Sequence, residues 1–253
     1  MTPPQLTPLK DIADALRAAQ RIAIAAHVRP DGDAVGSVMG LALSLRAMGK
    51  TVYALLEDGV PANLAFLPEA ITILTPPYAD FDLDVAVALD TASHERLGVN
   101  TVAVFARAPL LIDVDHHPTN PGYGQLNHID GTQPAVGQIV YELLCAGDFP
   151  ITDAVMQHLF TAISTDTGSF QYSSTTARTH EIAAEMIRAG LDTSRLAQLL
   201  YQTYPTRRLI LMRAMLNEMQ FRAEGRIVSW HLDGPRGRSP WVARVSCRHH
   251  PET

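Results

Sequence analysis

The sequence predicts an α/β fold built on a doubly wound, mostly parallel sheet, with a helical second half and an incomplete C-terminal domain. Three observations carry that expectation. Short apolar runs at residues 21–26, 84–89 and 110–114 alternate with segments of helical periodicity, the pattern of parallel βαβ units. The runs end in acidic or histidine side chains, His27, Asp90 and Asp115, where open α/β sheets bind ligands. From residue 132 onward nearly every apolar pattern has helical spacing.

The elements follow in order. Thr7-Pro8 reads as an N-cap followed by proline at the first helical position, and Ile12 and Leu16 mark that helix. Residues 21–26 form a buried strand that enters the loop His27-Val28-Arg29-Pro30-Asp31-Gly32-Asp33. A helix over 34–48 leaves the loop and stops at Gly49. Strands are expected at 51–56, 71–74, 84–89 and 110–114, and 102–106 fits a strand or a helix equally. Helices are expected over 132–146, 153–165 and 176–189, then near 196–201 and 207–219, followed by a lone strand at 226–231. This divides the chain into a catalytic domain over 5–205, a connecting helix and start of a further domain over 206–233, and an irregular, Arg-rich tail over 234–253.

Composition narrows the function. With 47% hydrophobic and 18% charged residues the chain is an ordinary globular protein. A net charge of −6 argues against a broad basic face for long duplexes and leaves room for a short phosphorylated substrate. Cys145 and Cys247 have no metal-site spacing and suggest no disulfide framework. No apolar run is long enough to span a membrane, and the first residues carry no signal-peptide pattern, so the expected setting is cytoplasmic. Nothing in the pattern predicts the oligomeric state.

Four motifs concentrate the chemistry: His27/Asp31/Asp33, Asp90, Asp115-His116-His117, and Asp166 at the end of a helix. An N-cap aspartate beside a surface histidine would explain the first motif taken alone. Four such clusters at equivalent places are different, because charges at the ends of apolar runs cost desolvation energy unless a cation compensates. Imidazole and carboxylate donors without thiolates suit Mn²⁺ or Mg²⁺. Asp31 and Asp33, two positions apart in a loop, can face different cations.

These residues carry a resemblance. His27-x-x-Pro30-Asp31-Gly32-Asp33-Ala34-x-Gly36-Ser37, then Asp90-Thr91-Ala92-Ser93, Asp115-His116-His117-Pro118-Thr119-Asn120, and Thr165-Asp166-Thr167-Gly168 resemble the DHH phosphoesterase superfamily, over about residues 5 to 232. The Pro-Asp-Gly-Asp-Ala form is similar to the RecJ-like branch, which includes NrnA-type oligoribonucleases that also act as 3′-phosphoadenosine 5′-phosphate (pAp) phosphatases. The resemblance implies a centre of two divalent ions, usually manganese, with magnesium or cobalt as alternatives. His27, Asp31 and Asp90 would hold one ion; Asp33, Asp90, His116 and Asp166 would hold the other. Asp90 bridges the two, and with His117 it forms the catalytic pair. His117 would face the substrate phosphate, Asp115 would orient the histidines, and Arg29 is within reach of a phosphate. The implied reaction is hydrolysis of short oligonucleotides or pAp-type nucleotides by metal-activated water.

The sequence departs from that pattern at its end. The glycine-rich motif of the C-terminal substrate domain is absent, which makes a catalytically weak, metal- and nucleotide-binding remnant the competing expectation. A family II inorganic pyrophosphatase is a weaker one, since its first motif would read Asn-Pro-Asp-Thr-Asp. His94, His128, His158 and His180 read as structural or exposed, and Tyr172 and Trp230 as core residues before stacking platforms.

Overall fold

The computed structural model describes residues 6–203, 205–230 and 245–246. It divides into two compact units after Leu200.

The first unit is the expected doubly wound α/β domain. Strands β1 (Arg21–Ala25), β2 (Thr51–Leu55), β3 (Val85–Leu89), β4 (Leu111–Asp115) and β5 (Leu126–Ile129) form one parallel sheet in the order β2-β1-β3-β4-β5. The winding direction reverses between β1 and β3, so a crevice opens at the carboxyl ends of these two strands. His27 and Asp90 follow those two strands. Burial on both faces explains why β1 and β3 read as continuous apolar runs rather than alternating ones.

Helix α1 (Leu9–Ala18) precedes β1, and α2 (Gly32–Ala47) follows it. Asp31 caps α2, its Oδ1 accepting from the backbone N–H of Asp33 and Ala34, both at 3.1 Å. Residues 32–45 are all buried, because α2 lies between the sheet and the helices α4 (Val136–Gly147) and α5 (Asp153–Asp166). Close approach requires glycine at two contacts: a Cβ on Gly36 would stand 2.4 Å from the His158 carbonyl oxygen, and one on Gly137 2.4 Å from Ala162 Cβ. Helices α6 (Ala177–Arg188) and α7 (Thr193–Tyr201) complete the helical half. Thr176 and Thr179 form a reciprocal cap at the start of α6, and Arg178 pairs with Glu142 and Glu185 to tie α6 to α4.

Four expectations change. Residues 71–74 are not a strand: a 3-10 turn (Ala70–Thr72) occupies them, and only Leu74 bridges to Leu55. The 3-10 turn takes up the first half of the stretch, and Pro76-Pro77 follows directly on Thr75, so only Leu74 is left to pair. Residues 102–106 fall in helix α3 (Val99–Phe105), whose first N–H groups are satisfied by the Glu57 carboxylate. The edge strand β5 was not expected, because Asn127 and His128 interrupt its apolar pattern; the Asn127 backbone and the His128 ring pair instead with Thr7 at the sheet edge. The strand read as lone at 226–231 is β7 (Ile227–Ser229), paired with β6 (Gln220–Arg222) and β8 (Val245–Ser246).

The second unit holds that small sheet and helix α8 (Thr206–Asn217). Trp230 lines an apolar groove there with Met212, Met215 and Met219. Of the expected irregular tail, Val245–Ser246 is strand; the other residues of 234–253 lie outside the described residues.

His158 is fully buried in α5. It contacts the Pro68 carbonyl at 2.7 Å through Nε2 and has no partner at Nδ1. Burial lowers its pKa from 6.5 to about 4. Between those values the unfolded chain takes up a proton that the folded chain refuses, so this group's contribution is complete above pH 6.5 and is lost as pH falls toward 4. The loss is on the order of 3 kcal/mol. Urea unfolding of the parent and of His158→Leu at pH 7 and pH 5 checks it: the parent should lose more stability than the variant on acidification. Equal losses would refute the assignment.

Candidate metal centre

The site is assembled from strand ends and helix ends. His27 directs Nδ1 to the Val28 carbonyl at 2.9 Å, which leaves Nε2 for the crevice. Nε2 stands 3.8 Å from Asp31 Oδ2 and 3.4 Å from Asp90 Oδ2. Asp31 thus uses one oxygen to cap α2 and turns the other to His27.

Asp90 is the hub. It is buried and sits in the left-handed region, with φ of 54°, a conformation that Asp and Asn tolerate better than most residues. Its Oδ1 lies 3.6 Å from His116 Nε2 and 3.7 Å from His117 Nδ1. Its Oδ2 is buried and has no hydrogen-bond partner.

His116 contacts the Gln133 carbonyl through Nδ1 (3.2 Å), so its Nε2 is left to face Asp90 and Asp166, the latter also at 3.6 Å. Asp115 grips the third motif from beneath. Its Oδ1 accepts from the His116 backbone N–H and from His117 Nδ1, both at 2.8 Å, and its Oδ2 accepts from Asn120 at 2.9 Å. Asp115 therefore orients the His117 ring, whereas the His116 ring is set by Gln133.

Asp33 is buried and doubly employed. It accepts from the N–H groups of Val136 and Gly137 at 2.7 and 2.8 Å, and from Ser37 Oγ at 3.0 Å, while facing His116 and Asp166. It thus satisfies the first N–H groups of α4 from a hundred residues away. Asp166 ends α5, where a carboxylate meets the negative end of the helix dipole.

Three triads result in which one donor atom per residue lies within 4.8 Å of the others: His27/Asp31/Asp90, Asp33/His116/Asp166 and Asp90/His116/His117. All six expected ligands, with His117, come together. Arg29 lies in the same loop, with its backbone N–H donating to Asp58 and its side chain exposed.

The electrostatics are those of a site short of positive charge. Burial, then the neighbouring Asp166, pushes Asp33 up to about 7. Burial, then Asp33, does the same to Asp90. Burial would lower His27, but Asp31 and Asp90 outweigh it and raise the imidazole to about 10, so a proton partly answers the surplus of carboxylates. The hydrogen bond that His117 donates to Asp115 raises its pKa, and burial and Arg96 oppose it. An all-nitrogen-and-oxygen donor set, an orphaned buried carboxylate oxygen and mutually repelling carboxylates fit a hard or borderline divalent cation.

Sequence reasoning left three residues near the site without a role: Asp113, Tyr123 and Arg96. Asp113 was detectable as a charge within an apolar strand, two positions before Asp115 and hence on the same face. Tyr172, expected in the core, is 61% exposed. It closes a turn after Asp166 in which Gly168, Ser169 and Phe170 all have positive φ. That turn sends Phe170 inward between Phe160 and His180 and leaves Tyr172 outside.

Comparison with known proteins accords with this geometry. Residues 21–163 match the model of the DHH family, N-terminal domain. The chain is 34% identical over 227 residues to the bifunctional oligoribonuclease and PAP phosphatase NrnA of Thermus thermophilus, covering 89% of this chain and 68% of the relative. It is 31% identical over 183 residues to the Bacillus subtilis protein of the same name, covering 70% of this chain and 56% of that one. A crystal structure of an exopolyphosphatase-related protein from Bacteroides fragilis superposes with a TM-score of 0.79 at 27% identity, covering 85% of this chain and 66% of that one. The chain thus spans between about half and two thirds of the length of these relatives. With the four motifs gathered at the carboxyl ends of the strands and the family model spanning more than half of the sequence, the chain belongs to the DHH family of phosphoesterases.

Proposed function

We propose that this chain is a divalent-metal-dependent phosphoesterase that hydrolyses short oligonucleotides and pAp-type nucleotides. The observation that carries the reading is the convergence of His27 and His116, from two different strands, on the two oxygens of one buried carboxylate, Asp90. The names of the Thermus and Bacillus relatives supply the substrate class.

His27, Asp31 and Asp90 would hold one cation, and Asp33, Asp90, His116 and Asp166 the other, with manganese the expected metal. Bound there, the pair would supply acidification of a water and neutralisation of charge on the phosphoryl oxygens. The protein's own part is to fix the donors and to handle one proton. Asp115 holds the His117 ring through Nδ1, which raises its pKa and favours the protonated imidazole, and its other ring nitrogen is left for a phosphate oxygen or the departing ester oxygen. The water oxygen bonds to phosphorus, the ester P–O bond breaks, and the leaving oxygen takes up a proton. No covalent enzyme intermediate is needed. Arg96 is close enough for its charge to oppose that of His117.

The test is release of phosphate from pAp and of mononucleotide from a short RNA, with Mn²⁺ and with chelator. Turnover should fall at least ~100-fold on chelation. Absence of turnover with Mn²⁺ bound would favour the remnant reading. Preference for pyrophosphate over both nucleotides would favour the pyrophosphatase reading.

A further inference from the structure

The two motifs that meet at Asp90 are joined from below by a buried polar network that the assigned ligands do not include. Asn120 is 3% exposed, and Thr91, Asp113 and Asp115 are fully buried. The Asn120 amide nitrogen has three oxygens in reach: the Thr91 carbonyl at 3.2 Å, Asp113 Oδ1 at 3.2 Å and Asp115 Oδ2 at 2.9 Å. Its own oxygen accepts from the Gly122 N–H at 2.8 Å, which fixes which end of the amide faces the carboxylates. Tyr123 adds a second clasp: its hydroxyl donates to the same Thr91 carbonyl at 3.1 Å, and its N–H donates to Asp113 Oδ2 at 3.3 Å.

Thr91 is the residue after Asp90, and Asp115 is the residue that orients His117. One side chain therefore ties the end of β3 to the end of β4. It does so where Asp90 is held in a left-handed backbone conformation and carries an oxygen without a hydrogen-bond partner. A residue held in such a region persists only where its surroundings over-determine it, and here the Asn120 amide and the Tyr123 hydroxyl do so.

We propose that Asn120, seconded by Tyr123, is a positioning residue that sets the spacing between Asp90 and the His116-His117 pair, and thereby the affinity of the centre for its cations. It touches neither cation nor substrate; it acts through the Thr91 carbonyl and the Asp115 carboxylate. Asp113 belongs to the same device. Burial pushes its carboxyl up to about 7, and Tyr123 and Asn120 counter that rise by hydrogen bonding to it. The network thus holds two neighbouring carboxyl groups, Asp113 and Asp115, beneath the site.

The inference rests on the metal-centre reading, and the experiment separates the two. Mn²⁺ binding to the full chain is measured by calorimetry for the parent, Asn120→Ala and Tyr123→Phe, with kcat and KM on pAp alongside. Loss of a supporting group of this kind costs about 10–100-fold in metal affinity or activity. Asn120→Ala should therefore bind Mn²⁺ ~10–100-fold more weakly and, at saturating Mn²⁺, lose kcat with KM little changed. In the metal-free chain, ring ¹⁵N spectra should show the His117 Nδ1 signal losing its hydrogen-bonded shift in Asn120→Ala, which a merely stabilising residue would not produce. Tyr123→Phe removes one hydroxyl and should shift Mn²⁺ affinity in the same direction by a smaller factor, so a misfolded Asn120→Ala leaves the proposal open to refutation. Parent-like Mn²⁺ affinity in the folded variants would overturn this inference and leave the metal centre standing. A parent that binds no Mn²⁺ would overturn both.

Discussion

Replacing Asp90 by asparagine is expected to abolish turnover while leaving the fold intact. Asn keeps the shape, tolerates the left-handed backbone at this position and removes only the charge. Alanine would confuse the result, because a φ of 54° penalises an ordinary Cβ by roughly 1–2 kcal/mol. Among the described residues Asp90 is the one carboxylate paired with both His27 and His116, so its loss weakens both halves of the centre together. The expected effect is ~4 kcal/mol of transition-state stabilisation, roughly 10³-fold in kcat. The same substitution should stabilise the metal-free chain at pH 8. The Asp90 pKa is raised from 3.8 to about 7 in the folded state, so its contribution to stability is complete below pH 3.8 and is lost as pH rises through about 7. Asn carries no such loss. Rate assays with Mn²⁺ and thermal unfolding in chelator check both halves, and a near-normal rate would refute the bridging role.

A substitution away from the donors should be nearly as damaging. Gly36→Val places a Cβ 2.4 Å from the His158 carbonyl and 2.8 Å from Ala162 Cβ. The nearest obstacle is backbone, so α2 and α5 must separate. Overpacking of this kind costs ~3 kcal/mol. These helices carry Asp33 at the start of one and Asp166 at the end of the other, so separating them also pulls apart the triad they form with His116. Denaturant titration should show a lower midpoint for Gly36→Val, and activity should fall even where the variant remains folded. An unchanged midpoint would mean that the helices yield without cost.

Most of the donor set was legible because its chemistry conflicts with its position. Asp and His at the ends of strands such as β1 and β3 have no structural reason to be there, and the pattern exposed them. Their supports were not legible, because these come from distant or backbone groups. The His116 ring is set by the Gln133 carbonyl, which any residue at 133 would offer. Asp33 caps a helix that begins more than a hundred positions later. The fold misreadings share a cause: local pattern was overruled by neighbours. The apolar stretch at 71–74 is half taken up by a 3-10 turn and pairs only at Leu74, whereas polar β5 pairs while the segment at Thr7 covers its edge. Tyr172 was misjudged because three successive left-handed residues reverse the direction in which the turn after Asp166 presents its side chains.

The donors are spread from residue 27 to residue 166, and the first and last are brought together only when the sheet is closed and α5 is docked. A chain emerging from the ribosome amino end first therefore completes its cation-binding centre late, after all five parallel strands have been made. Cation uptake by the whole donor set then rewards the finished domain above earlier species, so mass action by the ion favours completion. On this view the centre also acts as a check on assembly: a chain stalled short of docking α5 lacks Asp166 and the triad it forms with Asp33 and His116, and so competes less well for the cell's free divalent ions.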